Sequence, residues 1–415
     1  MTRVADRLAE IITPLVGELP VRLRAWDGSE AGPLEAPLVE LRSPEALRRL
    51  IWHPGELGAA QAYVTGEADL PGTTAELDAT LALVMEAARK AAPTRAEQAR
   101  AVVRAGRAAL ELGLVGRPPA PPATQAQVRG RLHSLARDRA AISHHYDVPA
   151  EFYELILDES MAYSCGYHAT PETPVADAQR AKLDLVCTKL GLGPDSTLLD
   201  IGCGWGSLTV HAAQHFGARV LGVTIAAEQQ RYVAERIARA GLADRAEARL
   251  CDYRDVEGTF DAVSSIEMGE HVGQENYPTF ARVLQDRVRP GGRVLVQQMS
   301  RTERPGGGAF IESFIAPDMH MRPVGQTVDL LERAGLEVRD VHALREHYVL
   351  TVAGWIERFE AHEDRLRELV GEEMLRVWRL YLVGGSAAFR DGRMGVDQIL
   401  AVRPGGSHDL PWVRA

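Results

Sequence analysis

Apolar residues recur at Val4, Ala5, Leu8, Ile11, Ile12, Leu15 and Val16, so the chain opens with an amphipathic helix. Alternation in VRLRAWDGSEAG (21–32), broken at Asp27-Gly28, predicts a hairpin. PEALRRLIWHPGELGAAQAYVTGEADLPG (44–72) reads as a short helix and a loop. From about Gln179 the pattern changes to regular alternation. AKLDLVCTKLGL, AAEQQRYVAERIARAGL and YPTFARVLQDRVRP carry helical periodicity. STLLDIGCG, ARVLGVTI, AEARLCDY, TFDAVSSIEM and RVLVQQMS are short apolar runs that read as buried strands. This order predicts an α/β fold with a doubly wound, mostly parallel sheet, whose ligands lie at the C-terminal strand ends. A charged glycine-rich loop, RTERPGGGAF (301–310), then suggests either a lid or a plain surface loop. A helix and a strand follow in QTVDLLERAGLEVRDVHAL. Two long helices come next, Tyr348 to about Leu366 and about Glu372 to Arg390. Their stripe of Trp355, Phe359, Leu366, Trp378, Tyr381, Leu382 and Phe389 reads as packing.

The first strand ends in LLDIGCGWGS, with Asp200 followed by Gly202, Gly204 and Gly206. Glycine suits a tight strand-to-helix turn and lets a ligand lie against bare backbone near a helix N-terminus. The order D-x-G-x-G-x-G differs from the G-x-G-x-x-G of dinucleotide binders. It resembles the S-adenosylmethionine loop of the Rossmann-like methyltransferases.

Length and charge refine this picture. The 415 residues, 46% hydrophobic and 25% charged, suit two or three globular domains. The boundaries expected are a small α+β domain for lipid contact over 1–90, a basic segment with a proline-rich linker over 91–140, and the catalytic domain, with helical insertions, over 141–415. The four cysteines, Cys165, Cys187, Cys203 and Cys251, form no C-x-x-C pair, so neither zinc, another metal nor a disulfide framework is expected. A net charge of −10 argues against a nucleic-acid partner. Against that background, residues 89–139 hold eleven Lys and Arg and three Asp and Glu, a local +8. This segment is either attracted to an anionic lipid surface or is a solvated helix face and tether. No apolar run spans a bilayer, and the N-terminus lacks a signal-peptide core. A cytoplasmic placement, peripheral on the inner face of the membrane, is expected.

In combination, HYDVPAEFYELILDESMAYSCGY, LLDIGCGWGSL, GVTIAAEQ, CDYRDV, EMGEHVGQENY and LYLVGGSAAFR resemble the cyclopropane-fatty-acid synthases over about residues 140–403. Closest in character are the methylene-forming methyltransferases of tuberculostearic acid biosynthesis. The resemblance implies S-adenosylmethionine as cofactor and phospholipid acyl chains as substrate. It also implies a homodimer and, for the methylene branch, a separate partner reductase. It places Tyr146 and Ser164 over the sulfonium, and Asp200, Gly202, Gly204 and Gly206 along the methionine and ribose. Thr224 and Gln229 follow at the second strand, and Asp252 and Tyr253 flank the adenine. A purely structural role for Asp252 or Tyr253 is the alternative.

In that family a bound bicarbonate is thought to act as base; the matching residues here are Cys165, Glu270 and Tyr348. Four positions depart from the pattern. The family's histidine falls on Gln297, its isoleucine on Met299, a small residue on Glu267 and an aromatic one on Gly269. A one-residue shift would instead match Gln298, on the opposite face. Glu267 and Glu270 lie three apart, and two carboxyls sharing a dry pocket raise at least one pKa, as a general base requires. These changes weigh against bicarbonate and for Glu267 as its replacement. The expected reaction methylates an oleoyl double bond and gives a 10-methylene chain; cyclopropane formation is the alternative.

Overall fold

The computed structural model describes residues 3–91, 93–128, 130, 132, 137, 148–302 and 305–412. The chain forms two compact units, one of residues 1–125 with 370–387, the other of 126–369 with 388–415.

The first unit begins with helix α1 (Val4–Val16) and strands β1 (Arg22–Ala25), β2 (Glu30–Ala31) and β3 (Leu38–Leu41). Helices α2 (Pro44–Trp52) and α3 (Glu56–Val64), strand β4 (Ala68–Asp69), and helices α4 (Thr74–Ala91) and α5 (Arg95–Glu111) complete it. The sheet order is β2-β1-β3-β4. The expected hairpin is β1 with β2, pairing Leu23 with Ala31. Val4, Ala5, Leu19, Val21, Leu23 and Ala25 form one core.

The three-part division expected above differs from the observed one. Helix α5 starts with a capping box between Thr94 and Glu97. It buries Ala109, and the following Leu114, against Leu41, Ala46, Leu47 and Ala62. Residues 91–125 therefore belong to the first unit rather than forming a separate segment, as do residues 370–387.

The second unit holds a seven-stranded sheet of order β10-β11-β9-β8-β5-β6-β7. Its strands are β5 (Thr197–Ile201), β6 (Arg219–Thr224), β7 (Ala246–Leu250), β8 (Phe260–Ile266), β9 (Val288–Ser300), β10 (Glu337–Ala343) and β11 (Gly395–Val402). Pairing is parallel from β7 through β9, while β11 runs antiparallel to both neighbours. Period-two alternation buries both faces. Leu198 packs under the helices Val175–Leu190 and Ser207–His215. Leu199 and Ile201 face the layer of helix Tyr277–Arg287. Strand order reverses around β5, between β8 and β6, which opens a crevice at the C-terminal strand ends.

Two elements differ from the sequence reading. β11 lies inside the sheet, although no strand is expected after the last helix. The long helices run Arg345–Ala361 and Glu363–Arg390, the second broken at Gly371, whose φ is 77°. Among the described residues, no helix is long and apolar enough to cross a membrane.

Candidate active site

The turn after β5 needs its glycines. Gly202, Gly204 and Gly206 have φ of 75°, 54° and 81°, where a side chain is strained. With no Cβ in the way, a cavity opens over the strand ends. It reaches from Asp252 and Tyr253, past Thr224 and Gln229 and the glycine turn, to Ser164, Lys182 and Glu267. Thr224 Oγ1 donates to Gln229 Oε1 at 2.8 Å. That contact leaves Gln229 Nε2 buried without a partner, a donor available to a bound hydroxyl. Asp200 lines the cavity, but its carboxylate is already held by Thr209 Oγ1 at 2.8 Å and Ser264 Oγ at 3.0 Å. Asp252 likewise has a structural task. It caps the turn Tyr253–Asp255 and pairs with Arg254 Nε at 2.7 Å. Tyr253 packs edge-on against Phe280, with centroids 5.6 Å apart. The donors and bare backbone thus fit an adenosyl ligand. Tyr146 lies outside the described residues.

The residues expected to do chemistry come together around Glu267, which directly follows β8. Its φ of 51° places a non-glycine residue in the left-handed region. Such strain costs about 1–2 kcal/mol and persists where surrounding contacts over-determine it. Here the Glu267 N–H donates to Gln297 O at 2.7 Å. Its carboxylate accepts the Cys165 N–H at 2.9 Å and Gln297 Nε2 at 2.7 Å on Oε1. Tyr348 OH donates to Oε2 at 2.7 Å. Gln297 Oε1 is in turn fixed by Gln398 Nε2 of β11 at 3.0 Å.

The sheet register decides which glutamine faces the site. Gln297 pairs with Ile266 and points at Glu267. Gln298 points the other way and accepts from Tyr277 OH at 2.6 Å. It also fills the space beside Gly269, where a Cβ would lie 2.3 Å from Gln298 Oε1. The loss of an aromatic there is therefore balanced by Gln298 and opens no room at the cavity.

Glu270 and Cys165 are oriented differently from the expectation. Glu270 Oε1 accepts the Met299 N–H at 2.5 Å, and Oε2 is buried without a partner. Glu270 does not line the cavity. Cys165 Sγ turns to the carbonyls of Gly166 and Leu344, so its backbone, not its thiol, holds Glu267. Burial raises the Cys165 thiol well above its usual value, which leaves it uncharged.

Burial also raises Glu267, while the bonds from Tyr348, Cys165 and Gln297 pull it back. Burial, and then the charge of Glu267, push Glu270 up to about 8. A carboxyl raised by folding stabilises the fold below its ordinary value, and that contribution is lost as pH rises through the raised one. Moving from about pH 6 to about pH 8.5 should cost about 2–3 kcal/mol through this group. Denaturant melts at both pH values should show the loss, and Glu270→Gln should remove most of it. An unchanged pH dependence in that variant would refute the assignment.

Sequence reasoning missed Lys182, Tyr163 and Trp205, which all line the cavity. Lys182 had a signal, since it shares the buried stripe of its helix with Ala178, Leu183 and Val186. The aromatic rings form a chain that no local pattern announced. Trp205, Tyr153, Tyr163, Trp355 and Tyr348 follow one another with centroids 5.1, 5.6, 5.4 and 6.0 Å apart.

Comparison with known proteins adds to this geometry. Residues 133–399 match the family described as mycolic acid cyclopropane synthetase. A probable fatty acid methyltransferase of Mycobacterium tuberculosis is 36% identical over 430 residues, covering 99% of this chain and 98% of its own. The tuberculostearic acid methyltransferase of the same organism is 33% identical over 403 residues, covering 93% and 88%. Among solved structures, a mycolic acid cyclopropane synthase complexed with SAH and CTAB has TM-score 0.61 and 28% identity. It covers 64% of this chain and 98% of its own.

Proposed function

This chain belongs to the mycolic acid cyclopropane synthetase family, and from that premise we propose that it methylates the double bond of an oleoyl phospholipid and releases a 10-methylene acyl chain. The cofactor is S-adenosylmethionine, which when bound supplies an electrophilic methyl group. The protein must align the alkene, exclude water, tolerate a cation on the lipid chain and accept one proton. Aromatic walls at Tyr163 and Trp205 suit the cation, because ring faces attract positive charge.

The observation that carries the reading is the Glu267 carboxylate. The Cys165 N–H, Tyr348 OH and Gln297 amide hold it where the family resemblance places bicarbonate. A protein carboxylate thus stands in for the external base. Methyl addition to one alkene carbon leaves the cation on its neighbour. A hydride shift moves the cation to the methylated carbon. Glu267 then takes a proton from the new methyl, and the C–H electron pair forms the exocyclic double bond. Burial raises the basicity of Glu267, which suits this transfer.

The lipid surface is met through the first unit. Leu83, Val84, Met85, Val102, Val103 and Leu110 are exposed on α4 and α5. Arg89, Lys90, Arg95, Arg100 and Arg107 on the same helices are exposed too. Apolar and basic side chains together suit an anionic bilayer surface. A separate reductase would saturate the methylene product.

Proton NMR of oleoyl phospholipid vesicles after reaction with enzyme and S-adenosylmethionine tests the proposal. Vinylidene signals are expected, whereas upfield cyclopropane signals would replace the methylene reading with ring closure. Turnover should be faster on phosphatidylglycerol than on phosphatidylcholine vesicles, and added salt should erase the difference. Equal rates at low salt would sink the surface assignment.

A further inference from the structure

Lys182 is a buried lysine that the chemistry at Glu267 does not use, and burial holds its amine below the ordinary lysine value. It sits on the inner face of helix Val175–Leu190, is 1% exposed, and lines the cavity. Its Nζ donates to Ser164 Oγ at 2.8 Å. A charge removed from water requires an opposite charge or several strong acceptors. The acids that act on it electrostatically are Glu267, Asp158 and Asp200. Two of them are engaged elsewhere on both oxygens. Glu267 is held by Cys165, Gln297 and Tyr348, and Asp200 by Thr209 and Ser264. Asp158 accepts the Ser160 N–H on Oδ2 at 2.9 Å, and its Oδ1 is buried without a hydrogen-bond partner, Lys182 included. Among the described residues, none of the three forms an ion pair with Lys182.

The cavity also has a direction. Tyr253 follows β7 and Thr224 ends β6, so the wall suited to base and ribose lies on that side. Lys182 and Ser164 line the cavity with Glu267, which follows β8 on the other side of β5. An adenosyl amino acid laid along the strand ends therefore brings its amino-acid end to Lys182.

We propose that Lys182, with Ser164 beside it, is the receptor for the α-carboxylate of S-adenosylmethionine. The inference rests on the cofactor reading given above. The bound carboxylate supplies the counter-charge that the buried ammonium lacks. Ser164 holds Nζ in place and offers its own hydroxyl as a second donor.

Isothermal titration of the full chain with S-adenosylmethionine, and with decarboxylated S-adenosylmethionine, tests this. The unsubstituted protein is expected to prefer the carboxylated ligand by about 10- to 100-fold, as befits a charged hydrogen bond out of water. Lys182→Met, similar in volume, should remove most of that preference while leaving the decarboxylated ligand bound within about threefold. Equal weakening of both ligands, or an unchanged preference, would overturn the proposal. Should Lys182→Met fail to fold, Ser164→Ala gives a second reading. Loss of the hydroxyl should cut the preference several-fold, and an intact preference counts against the assignment. If the unsubstituted protein binds neither ligand, the cofactor reading itself fails and takes the proposal with it.

Discussion

Glu267→Gln is expected to lower turnover by about 10²- to 10⁴-fold, the usual contribution of a positioned general base. The amide keeps the volume, and with its one oxygen at the Oε1 position it still accepts from the Cys165 N–H and Gln297 Nε2 while its NH2 donates to the Tyr348 hydroxyl. It cannot take a proton from the new methyl group. The opposite orientation is disfavoured, since it would set the NH2 against the Cys165 N–H and against Gln297 Nε2, which lies 2.7 Å from Oε1 and is itself a donor. Gln297 cannot turn over freely, because Gln398 donates to its carbonyl oxygen at 3.0 Å. Single-turnover methylation of oleoyl vesicles measures the effect, with S-adenosylmethionine affinity by calorimetry as the control. Affinity should change by less than about threefold, since the lost group acts after the ligand is bound. Glu267→Ala should be equally slow but should regain activity when bicarbonate is added, because it clears the space the carboxylate fills. Full turnover in Glu267→Gln would remove Glu267 from the chemistry.

Gly206→Val is expected to lower the melting temperature by roughly 5–15 °C and to abolish cofactor binding. Two costs add at this position. The φ of 81° is left-handed, which costs a β-branched residue at least about 1–2 kcal/mol. A Cβ there would also lie 2.7 Å from Val233 Cγ1 and 2.9 Å from Cγ2, inside the core of the second unit. Val233 is 0% exposed and cannot swing aside, so overpacking adds about 1–3 kcal/mol. Gly204→Ala is the control. Its φ is 54°, and a Cβ there meets nothing within 4 Å, so it carries the backbone cost alone. Scanning calorimetry separates the two variants. Equal melting temperatures would mean that the contact with Val233 is not as described.

Much of the catalytic unit was legible because its signals are local. The run from Leu198 to Ile201 is apolar because both sheet faces are covered. The glycine turn is legible because three left-handed residues in five leave few alternatives to glycine. The helix Ala227–Arg239 shows its buried stripe at Gln229, Val233 and Ile237, spaced four apart. The hairpin of β1 and β2 was announced by Asp27-Gly28.

The remainder depended on partners far apart in the chain. β11 reads locally like any short apolar run; its place in the sheet comes from the pairing of Gln398 with Gln297. The partners of Asp200 were hidden in part for the same reason. Asp200 lines the cavity and is also held by Ser264, 64 positions away, whereas the Arg254 partner of Asp252 lies only two residues on.

The sequence by itself determined the nucleotide-binding half of this protein. A period-two strand, a glycine turn and a helix start lie within a dozen residues, and their physics is that of neighbouring backbone. Only the tertiary structure decided what surrounds Glu267, the carboxylate proposed above as the base. Glu267 is held by Cys165, 102 positions away, by Tyr348, 81 away, and by Gln297, 30 away. It also adopts a backbone angle that its own residue type disfavours. Such a site is stable only when several distant groups converge on it, and nothing in the local pattern of hydrophobic and polar positions records that convergence.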